Sequence, residues 1–110
     1  MIHGNTKANI QLRTTRLNAI HEREVSWENI DSVFGWLDLQ SGDSNYTNYN
    51  AKVQESSHIF LADYVELDSR VKADKCRMVI GNEAYDIMLI DNPMGMNRQL
   101  EFYLKYTGGK

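Results

Sequence analysis

The chain has 110 residues, a formal charge of −3, 42% hydrophobic and 25% charged residues, and one cysteine. That length holds one domain with one modest core, and the composition is globular rather than disordered. The acidic balance argues against a dedicated nucleic-acid binder, the lone Cys76 excludes an internal disulfide framework, and no apolar run reaches the ~18 residues of a membrane helix.

In chain order, the opening MIHGNTK lacks the apolar centre of a signal peptide, so export is not expected, and residues 1–7 read as an N-terminal arm. In IQLRTTRL, Ile10 and Leu12 fall on one face and Gln11 and Arg13 on the other, the alternation of a half-buried strand. Residues 18–26, NAIHEREVS, are charged and polar and read as a hairpin loop. From Trp27 the chain runs WENIDSVFGWLDL. Val33, Gly35, Leu37 and Leu39 share one face, and Phe34, Trp36 and Asp38 the other. A glycine inside such a run predicts a bulge or a tight barrel bend.

A polar tract follows, and then VQESSHIFLADY, whose β-branched and aromatic residues favour a strand. CRMVIGNEAYDIMLI is two apolar runs joined by Gly81-Asn82, a tight hairpin in which glycine supplies positive φ. Cys76 there reads as a small buried hydrophobe. In the second arm Tyr85, Ile87 and Leu89 alternate with Asp86, Met88 and Ile90, up to a turn at DNPMG. The last run places Leu100, Phe102, Leu104 and Tyr106 on one face, and residues 107–110 are expected to be a loose tail. The sum is an all-β fold: one antiparallel barrel or sandwich of about six strands over residues 1–110, with a long loop after the second strand.

No chemical constellation emerges. His3, His21 and His58 lack ligand spacing, so no metal is expected, and Gly42 and Gly108-Gly109 stand outside any phosphate-loop context. His58 follows Ser56 and Ser57, but neighbours on a strand point to opposite faces, which does not build a triad. Glu22, Glu24, Glu83 and Asp86 lie in or beside turns as solvated carboxylates. The expectation is therefore no enzyme, no catalytic residue and no cofactor. Trp27 and Trp36 read as anchors of the core or of a subunit contact. Met88, Met94 and Met96 near Pro93 read either as an adaptable contact surface or as core filling.

The order of these segments carries a resemblance over residues 8–108. It consists of WENIDSVFGWLDLQSGD, a polar tract, AKVQESSHIF, the VIGNEAYDI hairpin and a final DNPMGMNRQLEFYLKY. It resembles the head-closure proteins (head–tail connectors, or stoppers) of long-tailed double-stranded DNA phages and prophages. The resemblance implies a β-barrel subunit, folded in the host cytoplasm, that forms a twelvefold or sixfold ring in the virion neck. Such a ring lies below the portal and adaptor, retains packaged double-stranded DNA without sequence preference, and docks the tail terminator or tail tube. No membrane is involved.

The family's long loop points toward the channel and maps here onto residues 41–51. Ser41, Gly42, Ser44, Asn45, Thr47, Asn48 and Asn50 are uncharged and flexible, and Asp43 is the one charge. A loop of that kind neither traps nor strongly repels phosphates. Tyr46 and Tyr49 either stack between neighbouring loops or pack on their own barrel. Trp27, Trp36, Pro93, Met94 and Met96 are candidate contacts with ring neighbours or adjoining neck proteins. Two other readings stand beside this one: a tail-terminator or tail-completion ring protein, and an OB-like binding module, which calls for a basic aromatic face.

Overall fold

Period-2 runs of β-branched, aromatic and leucine residues, punctuated by glycine and asparagine turns, form six strands. These are β1 (Thr6–Leu17), β2 (Arg23–Leu39), β3 (His58–Asp63), β4 (Cys76–Ile80), β5 (Glu83–Asp91) and β6 (Gln99–Gly109), with one 3-10 turn at Pro93–Gly95. The computed structural model describes residues 6–39 and 56–109. Every pairing is antiparallel, and the order β1-β2-β3-β6-β5-β4 closes where β4 meets β1. Two three-stranded meanders are thus joined along two seams, and the fold is the expected all-β, antiparallel one with six strands.

The ends of the strands differ from expectation. β1 already begins at Thr6, inside the expected arm. β6 continues to Gly109, where Ala84 faces Gly108 and Glu83 faces Gly109, so residues 107–109 of the expected tail are strand. The loop expected over residues 18–26 shrinks to a tight turn. Asn18 Oδ1 accepts the amides of Ile20 and Glu22 at 3.0 and 2.9 Å, and β2 starts at Arg23. The charged residues after it belong to a ribbon in which Arg16 faces Glu24. The connection between β2 and β3 is the long one, and the expected channel loop in it, Ser41 to Asn50, lies outside the described residues.

Phe60, Phe102, Ile10, Met78, Leu104 and Val33 are fully buried and fill the barrel. Phe60 and Phe102 face each other across the β3/β6 seam, their rings 6.4 Å apart at 64°, the favoured edge-to-face arrangement. Gly35 is not a bulge. A Cβ there would sit 2.0 Å from the Leu61 carbonyl oxygen and 2.8 Å from the Phe60 ring, so its hydrogen side chain is what lets β3 lie against β2.

The bulge of β2 is at Ile30, skipped between the pairs Ile10/Asp31 and Gln11/Asn29. A second, at Met88, reverses the alternation of β5. Leu89 faces Tyr103 outside, and Ile90, not Leu89, packs inward opposite Phe102. At one end of the barrel the segment 64–75 folds over the core, with Val71 buried and Leu67 and Ala73 packed against it. Asp31 Oδ2 holds that segment by accepting the Asp68 amide at 2.7 Å.

Two substitutions test these contacts by urea unfolding. Phe60→Ala should cost about 3–5 kcal/mol through the cavity it leaves. Gly35→Ala adds one methyl group yet should cost about 3 kcal/mol, because the atom it meets is backbone and cannot rotate away.

Candidate functional site: two flanks of the barrel

β4 has only five residues, so it covers β1 from Asn9 to Leu12 and no further. Arg13 makes the last link, its amide donating to the Lys75 carbonyl at 3.0 Å. Beyond that point the β1–β2 hairpin leaves the barrel as a two-stranded ribbon. β2 meets β3 only between Gly35 and Leu39, which leaves the outer edge of the ribbon without a strand among the described residues.

The face of the ribbon continuous with Gln11 carries Arg13, Thr15 and Leu17 opposite Trp27, Val25 and Arg23. At its base the Arg77 guanidinium lies 4.2 Å over the Trp27 ring, a cation–π contact. Arg77 Nε donates to Gln11 Oε1 at 2.8 Å, and Gln11 Nε2 donates to Asn29 Oδ1 at 2.8 Å. Burial pulls the Arg77 guanidinium below its ordinary pKa, opposed by the charge of Asp86 across the β4/β5 pair. A groove of about 290 Å³ opens beside this stack, lined among others by Arg13, Trp27, Lys75, Asp86 and Met88.

The other flank is the outer wall of β2, β3, β6 and β5. Trp36, Leu61, Glu101 and Asp91 form one row across the four strands. Phe34 and Asp38 flank Trp36 on β2. Phe34 is 57% exposed and Trp36 45%, large for aromatic residues on a small domain. Glu101 is held by Gln99 Nε2 at 2.9 Å and the Tyr103 hydroxyl at 3.1 Å.

The two tryptophans thus stand on different flanks, Trp27 half-buried under a guanidinium and Trp36 exposed. Neither is core. Met94 is 91% exposed with φ 56, a left-handed conformation rare for a bulky residue, and Met96 is exposed beside it. Those two methionines and the half-buried Pro93 lie at the end of the barrel where the ribbon emerges, while Met88 lines the groove beside Trp27. At the other end, where β2 stops and β3 begins, His58, Tyr85 and Tyr106 form an aromatic cluster with centroids 5.1 to 6.3 Å apart. The Tyr106 hydroxyl donates to Glu83. Ser57 Oγ accepts the Tyr106 amide at 2.8 Å and lies 2.9 Å from His58 Nδ1.

The Ser57–His58 contact contradicts the expectation that these neighbours point apart. Ser57 precedes β3 in a bend, so strand alternation does not govern it. The pair ties the start of β3 to the end of β6, and the histidine ring packs edge-on against Tyr85. Sequence reasoning missed this cluster and the Arg77–Trp27 stack, since both depend on strand register; the alternation of Arg77 against Met78 was the only local signal. Cys76 is buried, with its thiol 3.6 Å from the Arg70 carbonyl. Among the described residues no group of three or more His, Cys, Asp or Glu side chains could hold a metal ion, and no helix is long and apolar enough to cross a membrane.

Neither a protein-family model nor a curated protein matches the chain.

The segment 64–75 beside the ribbon is knotted by Asp68. Its carboxylate accepts Arg70 Nε and Nη2, both at 3.0 Å, and the Arg70 amide at 2.8 Å, while Arg70 Nη1 also reaches Glu28 at 3.2 Å. The Arg70 side-chain hydrogen bonds, helped by its amide, hold the Asp68 pKa at about 2, below the ordinary 3.8. A lowered carboxylate stabilises the fold above its unfolded-state pKa and loses that contribution as pH falls through the folded value. The stability gap between the parent chain and Asp68→Asn should therefore be constant above pH 3.8 and close as pH falls through about 2. Urea unfolding at stepped pH reads it, and a gap independent of pH would remove the carboxylate from the account.

Proposed function

We propose that the chain is a ring-forming structural protein of a phage neck, a head-closure subunit beneath the portal and adaptor. In this role it retains packaged double-stranded DNA and presents a docking surface to the tail. The observation that carries the reading is the placement of the long β2–β3 connection. Its two anchors, Leu39 and Ser56, stand at one end of a closed barrel, and the other end is covered by residues 64–75. A barrel with one long connection, whose residues 41–50 carry a single charge, is suited to holding that tract in a shared passage while its walls meet neighbours.

The closed antiparallel barrel agrees with the β-barrel subunit that the resemblance implies. The exposed Phe34, Trp36 and Met94 support assembly, since apolar surface left on a small domain marks contact surfaces. Copies related by rotation meet through unlike faces, and such contacts close into rings. In the ring, the polar tract from Ser41 to Asn50 lines the channel, with Asp43 its only charge.

The Arg77–Trp27 stack favours a second reading, an OB-like module that stacks bases on an aromatic beside cations. Against it stand the six strands in two meanders, where the OB fold is a five-stranded Greek-key barrel. A tail-terminator ring shares the build and differs in where it resides: purified tailless heads retain a closure protein and lack a terminator.

Deleting residues 42–50 should leave the barrel folded, as judged by its circular dichroism and unfolding midpoint. In a phage that carries the gene, filled heads should then lose their DNA. A folded variant whose heads stay full would end the channel assignment, and an unfolded one would make those residues part of the core instead.

A further inference from the structure

The two flanks of the barrel are complementary in charge and in apolar surface. The ribbon presents Arg13 and Arg23 with Leu17 and Val25, the last two 61% and 55% exposed. The wall presents Asp91 and Glu101 with Phe34 and Trp36. Both ion pairs among the described residues belong to Arg70, so none of these four charges is neutralised by a neighbour there. We propose that the ribbon of one copy of this chain docks on the wall of the next copy, Arg13 and Arg23 meeting Asp91 and Glu101.

The proposal rests on the ring reading and says which faces make the ring. Ribbon against ribbon would oppose arginines, and wall against wall would oppose carboxylates, so both two-fold arrangements are disfavoured. Ribbon against wall satisfies both, and because the two surfaces are different parts of one chain, the contact is head-to-tail. The edge of β2 along the ribbon, which no strand covers among the described residues, also offers main-chain donors and acceptors to the neighbour. Charge sets the register and the encounter; burial of Leu17, Val25, Phe34 and Trp36 supplies the affinity.

Two charge-reversed chains test it. One carries Arg13→Glu and Arg23→Glu; the other carries Asp91→Arg and Glu101→Arg. Sedimentation at high protein concentration and low salt should show self-association of the parent chain, weakened by salt. Each variant alone should associate at least roughly tenfold more weakly, since like charges now face each other. Their equimolar mixture should recover association, because every contact then joins opposite charges again. Unchanged circular dichroism establishes that both variants are folded.

A parent chain that stays monomeric, variants that associate as it does, or a mixture that fails to recover would overturn the contact. Binding of short duplex DNA that is lost in the Arg13/Arg23 variant, without any self-association, would overturn it too, in favour of a nucleic-acid face. The head-leakage experiment judges the neck function independently, so a ring built through other faces would leave that function standing while this contact fell.

Discussion

The β1/β4 seam has room for few residues. β4 spans Cys76–Ile80 and β1 spans Thr6–Leu17, and the barrel closes only where they meet. Without that closure the sheet has two open edges, and its core, built on Phe60, Phe102 and Ile10, has no continuous wall. Because the seam is short, the remainder of β1 must go elsewhere. It keeps β2 as its partner and extends past the barrel. The ribbon is thus a geometric remainder of the closure, and the groove beside Trp27 is the gap that opens where β4 ends.

The second seam, β3 against β6, is governed by size rather than length. Gly35 brings β3 close to β2, and Phe60 and Phe102 then meet edge to face across the seam. A larger residue at position 35 would push β3 outward and with it the row from Trp36 to Asp91. The position of the acidic wall is therefore set by a residue that points the other way, into the core.

Strand number, the Gly81-Asn82 hairpin and the antiparallel barrel were legible in the residues, because alternation and turn chemistry act locally. Gly81 does take positive φ, at 61°. The misreadings fall where one residue changes the register. Met88 looks like an ordinary member of an apolar run and Ile30 like an ordinary strand residue, yet each is extra in its strand and shifts the register. The charge of residues 23–26 predicts a loop, although a ribbon exposed on both faces has no reason to be apolar. Of the candidate contact residues, Trp36, Met94 and Met96 are exposed, and Trp27 and Pro93 are half-buried. The Arg77–Trp27 stack joins positions 50 residues apart and could not be seen without the pairing of β1 with both β2 and β4.

The separation of the two tryptophans has an optical consequence. Trp27 lies beneath a guanidinium at the root of the ribbon, and Trp36 faces solvent on the wall. Their indoles therefore sample different polarity and different quenchers, and each flank carries its own emitter. Replacing either one with phenylalanine leaves a chain whose fluorescence reports on a single face, so the molecule comes equipped to say which side of it has been covered.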